Sequence, residues 1–256
     1  MQTSGNTILI TGGGSGIGRA LAEAFHRRDN RVIVAGRRAS ALEDVARANP
    51  GIETVVLDVA DPQDIARVAA KLAAEYPTLN ALINNAGIMQ PEDWRANDIN
   101  VSIAEATIAT NLLAPIRLTA ALLPLLRKQA KSTVLTVSSG LAFLPLALTP
   151  TYSATKAAIH SFSESLRYQF AGTGVDVVEI VPPYVQTELM GEQQASDANA
   201  MPLAEFIDEV MSILDTQPDV REVLVKRVLP LRFAAEQGYD GYSKQFTGLN
   251  DHFAGK

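Results

Sequence analysis

The chain has no cysteine among its 256 residues. Disulfides, thiolate nucleophiles and zinc–thiolate sites are therefore excluded, and the composition suits a reducing compartment. Aromatic residues make up only 6%. Positive charge is in deficit: 22 Lys and Arg face 28 Asp and Glu, a formal net charge of −6. No nucleic-acid partner and no anionic membrane surface are expected of such a chain, and any basic cluster in it is local and suited to a small ligand. Histidine is scarce. His26, His160 and His252 lie far apart and form no metal-ligand spacing, so each reads as an ordinary, partly exposed histidine and no metal is expected. No basic, then apolar, then small-residue signal peptide opens the sequence. The longest apolar stretch, LLAPIRLTAALLPLL at 112–126, carries Arg117 and two prolines. It is too short and too interrupted to span a bilayer and reads as a buried helix. The expectation is a cytoplasmic protein.

Against these absences, 47% of the residues are hydrophobic, enough for a substantial core. Short runs rich in Val and Ile alternate with helical stretches. The runs are TILIT (7–11), RVIVAG (31–36), ETVVLDV (53–59), NALINNAG (80–87), STVLTVSS (132–139), VDVVEIV (175–181) and EVLVKRV (222–228). Continuous rather than alternating hydrophobicity suits strands buried on both faces. The helical stretches include GRALAEAFHRR, ASALEDVARA and DPQDIARVAAKLAAEY, the last with Asp61 as N-cap and Pro62 at its first position. The alternation predicts one α/β domain over 1–256: a Rossmann-type, doubly wound parallel sheet of about seven strands with helices on both faces. The segment 188–206 breaks the rhythm, and 188–203 reads as a substrate loop or lid. The tail after 228 reads as irregular packing over the sheet edge.

The first strand runs into TGGGSGIG (11–18) and then a helix. Glycines let backbone approach a ligand, and the helix start offers free N–H groups and a positive dipole end to a pyrophosphate. The G-x-G-x-x-G fingerprint fits in no register. The phosphate loop of nucleotide triphosphatases also fails, because Arg19-Ala20 follows Gly18 where Lys-Ser/Thr is required. What fits is T-G-x-x-x-G-x-G, and the cradle it predicts comprises Thr11, Gly12, Gly14, Ser15, Gly16, Ile17 and Gly18. At the end of the second strand NAD binders place a carboxylate for the ribose 2′-hydroxyl. This chain has Gly36, then Arg37 and Arg38. A guanidinium matches a phosphate in fork geometry and charge. NADP(H) is expected over NAD(H), with Arg37 the stronger contact.

These residues resemble the short-chain dehydrogenase/reductase family over nearly the whole length. The matching motifs are TGGGSGIG, Asp58-Val59, NNAG (84–87), Asn111, Ser139 and YSATK (152–156), with Ser139 thirteen residues ahead of Tyr152. The resemblance implies a catalytic tetrad of Asn111, Ser139, Tyr152 and Lys156. It places Asp58 and Val59 at the adenine and Asn85, Ala86 and Gly87 along the adenosine ribose. VPPYVQTEL resembles the family's P-G-x-V-x-T pattern, which puts Pro182, Val185 and Thr187 at the nicotinamide. Pro183 stands where the family has glycine, and this proline pair resembles reductases encoded beside cell-wall D-alanylation genes. The implied activity is NADP(H)-dependent interconversion of a carbonyl and an alcohol, with Tyr152 as general acid/base. The alternatives are a nicotinamide-binding sensor without turnover, or an isomerase or lyase on the same scaffold.

Tyr152 and Lys156 are four residues apart, so a helix returns them to one face. Free tyrosine titrates near 10, and work at neutral pH needs a downward shift of about three units. An adjacent ammonium supplies roughly one to three. Ser139 would hydrogen-bond the substrate oxygen. Asn111 resembles the family residue that leads a water to the lysine. Substrate contacts are expected from 140–148, Met89, Gln90, Tyr184, Leu189 and Met190, which are mostly apolar and suit a small apolar ketone, aldehyde or alcohol. The helices at about 101–129 and 152–171 correspond to the family's subunit-pairing helices, so a homodimer or homotetramer is expected.

Overall fold

Ile8, Leu9 and Ile10 have no exposed surface, and the same holds for Val32, Ile33 and Val34 in the next strand. Neighbours along each strand serve opposite sides. Ile8, Ile10, Val32 and Val34 join one apolar cluster, whereas Leu9 and Ile33 join a second. This alternation inside a continuously apolar run requires cover on both faces of the sheet. The computed structural model describes residues 1–254.

The strands are β1 (Thr7–Thr11), β2 (Arg31–Gly36), β3 (Glu53–Val56), β4 (Leu79–Asn84), β5 (Ser132–Val137), β6 (Val175–Val181) and β7 (Glu222–Leu224). All pair parallel, in the order β3-β2-β1-β4-β5-β6-β7. The helices are α1 (Gly16–His26), α2 (Ala39–Ala48), α3 (Pro62–Glu75), α4 (Ser102–Ile108), α5 (Ala114–Leu126), α6 (Pro150–Gln169), α7 (Glu192–Ser196), α8 (Leu203–Thr216), α9 (Leu229–Arg232) and α10 (Gly238–Phe253). The cluster of Ile8 takes Phe25 from α1, Val45 from α2 and Phe206 and Val210 from α8. The cluster of Leu9 takes Ile65 and Leu72 from α3 and Leu118 and Leu122 from α5. Each such side chain stabilises the fold by about 1.5–3 kcal/mol relative to exposure. The strand order reverses between β1 and β4, and ligands of open α/β sheets bind in the crevice beyond the strand ends at such a point.

The Rossmann-type sheet is as expected, and Asp61 caps α3 by accepting from Gln63 N at 2.8 Å. Four local expectations need correction. The run 222–228 holds only a three-residue strand, after which Val225 and Val228 pack into the core from a 3₁₀ turn. The tail is not irregular: Tyr242, Phe246, Leu249 and Phe253 fall on one side of α10, at i, i+4, i+7 and i+11. The segment 188–206 contains α7 and the start of α8, and Val185 bridges Met201 across its base. The helix expected at 101–129 is interrupted by a π-helical turn at Ala109–Leu113, a feature frequent at functional sites. Ser102–Leu126 is long and apolar enough to cross a membrane by composition. Leu118, Leu122, Leu125 and Leu126 are nevertheless buried against the sheet, as in the core helix of a folded domain.

Candidate active site

The glycine loop leaves β1 at the reversal point. Gly12 has φ +67°, and a Cβ there would stand 2.9 Å from Ala86 Cα. A Cβ on Gly18 would collide with the Gly12 carbonyl and the Asn85 amide. The first turn of α1 thus presses against the loop after β4, held by Asn85 Nδ2 donating to Thr11 O at 2.9 Å. Thr11 Oγ1 accepts from the backbone N–H of both Asn85 and Ala86 at 3.0 Å.

Above this junction runs a groove of two joined compartments, of about 550 and 470 Å³. Both touch Gly12, Ser15, Arg38, Ala86, Gly87 and Ile88. Of the residues expected at a cofactor, Gly14, Gly16, Ile17, Arg37, Val59, Asn85, Pro182, Val185 and Thr187 also line it. Thr11, Gly18 and Asp58 do not. Thr11 and Gly18 act from beneath, as the contacts above show, and the Asp58 carboxylate accepts from Ala60 N at 3.0 Å. Thr187 Oγ1 accepts from Gln194 Nε2 at 3.1 Å, and the same amide nitrogen donates to Val185 O at 2.8 Å. Arg37 and Arg38 are exposed at the second compartment and form no ion pair among the described residues.

At the other end of the groove Ser139, Tyr152 and Lys156 share one wall, each less than one-tenth exposed. Helix α6 carries the tyrosine and lysine on one face, with Lys156 Nζ 5.4 Å from the phenol ring centre. Lys156 Nζ donates to Val137 O at 2.7 Å, and Ser139 Oγ accepts from Leu141 N at 3.1 Å. Burial pushes the Tyr152 phenol up to about 12, opposed by the Ser139 hydroxyl. Burial brings Lys156 down to about 8, opposed by the Glu179 carboxylate. The lowering of the phenol expected from the lysine does not emerge in this form of the site, where burial dominates and only the Ser139 hydroxyl opposes it. Asn111 is in the π-helical turn but stands back from the groove. Its Oδ1 accepts from Ile88 N at 2.9 Å and its Nδ2 donates to Ile88 O at 2.8 Å, so the side chain fastens the loop that forms the groove floor.

The model of the short chain dehydrogenase family matches residues 6–198. The chain belongs to this family of oxidoreductases. The chain is 38% identical over 250 residues to the uncharacterized oxidoreductase DltE of Bacillus subtilis, covering 96% of this chain and 98% of the relative. It is 33% identical over 225 residues to an NADP-dependent 3-hydroxy acid dehydrogenase of Schizosaccharomyces pombe, covering 82% and 86%. Among solved structures, a short chain dehydrogenase from Burkholderia cenocepacia in complex with NADP superposes with a TM-score of 0.81 at 25% identity, covering 96% of this chain and 99% of that one. A family member from Burkholderia phymatum in complex with NAD superposes with a TM-score of 0.80 at 18% identity, covering 93% and 95%, a likeness of fold.

Beyond Ser139 and Tyr152 the groove meets a smaller apolar pocket of about 90 Å³. The expected Met89, Tyr184, Leu189 and Met190 line it, as do Leu141 and Leu146. Leu231, Leu249 and Phe253 close it. None of these three was expected, although the apolar spacing along α10 was a visible signal. Asn250 fastens α10 to the loop after β5, accepting from Ala147 N at 2.6 Å and donating to Pro145 O at 3.2 Å. Gln194 was also unexpected, since nothing in the aperiodic lid distinguishes it.

A second cluster lies behind the lysine. His160 Nδ1 is 2.8 Å from Glu179 Oε2 and 3.6 Å from Glu222 Oε1. Arg232 grips Glu222 with its Nε and Nη2. His160 is partly exposed, as expected, but it is tied to acidic partners rather than ordinary, and the Glu179 carboxylate raises its pKa. The donor atoms of His160, Glu179 and Glu222 lie within 4.8 Å of one another. Arg232 pairs with Glu222 and the His160 ring contacts Glu179, so the four side chains form one polar network.

Proposed function

We propose that the protein is an NADP(H)-dependent oxidoreductase that interconverts a small apolar ketone or aldehyde with its alcohol. The observation that carries this reading is the meeting of Ser139, Tyr152 and Lys156 on one wall of a groove whose far end holds two arginines that form no ion pair among the described residues. A dinucleotide fits the residues present: the loop is cut back to backbone at Gly12 and Gly18, and α1 begins at its edge. Gly12 to Ile17 and Asn85 to Gly87 would hold its phosphates and adenosine, Arg37 and Arg38 its 2′-phosphate, and Lys156 and Thr187 its nicotinamide end. When bound, the nicotinamide supplies or accepts the hydride and, when oxidised, adds a positive charge. The Schizosaccharomyces relative is NADP-dependent and the Burkholderia cenocepacia structure holds NADP, which supports NADP as the cofactor.

The chain's own groups do the rest. A phenol pushed up to about 12 is protonated at neutral pH, the form that donates to a carbonyl oxygen during reduction. The Ser139 hydroxyl beside it can donate to the same oxygen as negative charge develops there. Lys156, at about 8, carries its ammonium at neutral pH and favours the phenolate left after donation. The apolar pocket takes the carbonyl substituent. At about 90 Å³ it is smaller than the roughly 150 Å³ cavity that admits benzene, so a short alkyl group fits best. Ile108 and Leu113 are exposed, and Ile108, Leu112, Pro150 and Ala154 form an apolar recess outside the site. This face suits association of two copies into a homo-oligomer. Consumption of NADPH with short-chain ketones and aldehydes, followed by absorbance, tests the activity. Failure across the panel with NADPH bound would favour the sensor reading.

A further inference from the structure

Beside the groove, helix α6 makes polar contacts with the sheet from residues at i, i+4 and i+7. Lys156 donates to Val137 O, His160 meets Glu179, and Ser163 Oγ lies 2.7 Å from Thr136 Oγ1. Glu179 pairs in register with Thr136, the residue before Val137. A carboxylate with no exposed surface therefore sits under the same helix face as the lysine, one strand away from the carbonyl the lysine binds. His160 occupies Oε2. Oε1 is buried without a hydrogen-bond partner among the described residues. Lys156 has three N–H donors and spends one on Val137. A buried carboxylate is tolerated where cations offset its desolvation; here the imidazole contacts Oε2 directly, and the ammonium lies on the neighbouring strand's carbonyl, beyond direct ion-pair contact.

We propose that Glu179 is a positioning residue for Lys156: a counter-charge inside the sheet that keeps the ammonium charged and directed at Tyr152, with His160 holding the carboxylate in place. The role assigned to Lys156 rests on the reading given under Proposed function. The groups concerned are Tyr152, His160 and Glu164 on α6, Glu179 on β6, Glu222 on β7 and Arg232 on α9. Arg232 neutralises Glu222 directly, which leaves Glu179 as the carboxylate that acts on the lysine.

The test is a titration of Lys156 by NMR in protein carrying labelled lysine side chains, without nicotinamide or substrate. The chain has seven lysines, and Lys156→Met assigns the resonance. In Glu179→Gln, which keeps the size and an acceptor for His160, Lys156 should titrate about one pH unit lower than in the wild type. Glu222→Gln should leave it in place. An unmoved Lys156 in Glu179→Gln overturns the proposal. Should that variant not fold, Glu179→Met takes its place: Lys156 should again titrate lower than in the wild type, and an unmoved Lys156 overturns the proposal equally. With a substrate in hand, the alkaline limb of turnover should move down in Glu179→Gln by the same shift. Because the titration needs neither cofactor nor turnover, it can fail while the reductase reading stands, and the reverse.

Discussion

Replacing Arg37 and Arg38 by alanine should weaken NADPH binding and spare NADH. Both guanidiniums are exposed at the end of the groove away from Tyr152 and form no ion pair among the described residues, so removing them breaks no internal ion pair. A hydrogen bond to a charged group contributes about 1.5–3 kcal/mol. At an exposed site solvent and salt reduce this, and about 1–2 kcal/mol per arginine is a fair figure at about 0.1 M salt. That corresponds to roughly a 5- to 30-fold loss of NADPH affinity for either single variant. Neighbouring arginines on one phosphate are not additive, so the double variant should lose less than the product. The assay is a fluorescence titration of each reduced nicotinamide against wild type and variants. NADPH affinity of the wild type should also fall more steeply with salt than that of the double variant. Equal losses for NADPH and NADH, or no loss for either, would refute the assignment of these arginines to a 2′-phosphate.

Other expectations follow from the same geometry. Gly18→Ala forces a Cβ into the Gly12 carbonyl; overpacking of this kind costs about 1–3 kcal/mol, read as a lower denaturant midpoint together with weakened NADPH binding. Phe253→Ala enlarges the apolar pocket and should move the ratio of kcat/KM toward bulkier carbonyls by about tenfold; an unchanged ratio places the substrate elsewhere. His160 has its pKa raised above 6.5 by Glu179. Its stabilising effect is complete below about pH 6.5 and is lost as pH rises through the higher folded value. His160→Gln should therefore flatten that part of the profile of denaturant midpoint against pH, and a parallel profile would contradict the pairing.

The sheet was legible because its strands are continuous runs of Val, Ile and Leu buried on both faces, a signal that does not depend on distant partners. The glycine cradle was legible because its spacing is local. Helical periodicity put Tyr152 and Lys156 on one face, while their roles and that of Ser139 were legible only through the resemblance to the family. Residues brought in from afar were not. His160, Glu179, Glu222 and Arg232 meet only because β6, β7, α6 and α9 converge, and no local spacing announces that. Leu249 and Phe253 reach the pocket because Asn250 fastens α10 to the loop after β5, and Leu231 arrives separately from α9. The phenol's direction of shift was misjudged for a related reason. A four-residue spacing shows the cation but not the burial that raises the phenol.

The central claim is that the Tyr152 phenol exchanges a proton with the substrate oxygen beside a bound nicotinamide. Tyr152→Phe removes that proton and keeps the ring, so the decisive measurement is turnover of NADPH in this variant alongside its NADPH dissociation constant. Loss of turnover by about 10²-fold or more with binding intact is the predicted result; turnover near that of the wild type would contradict the account.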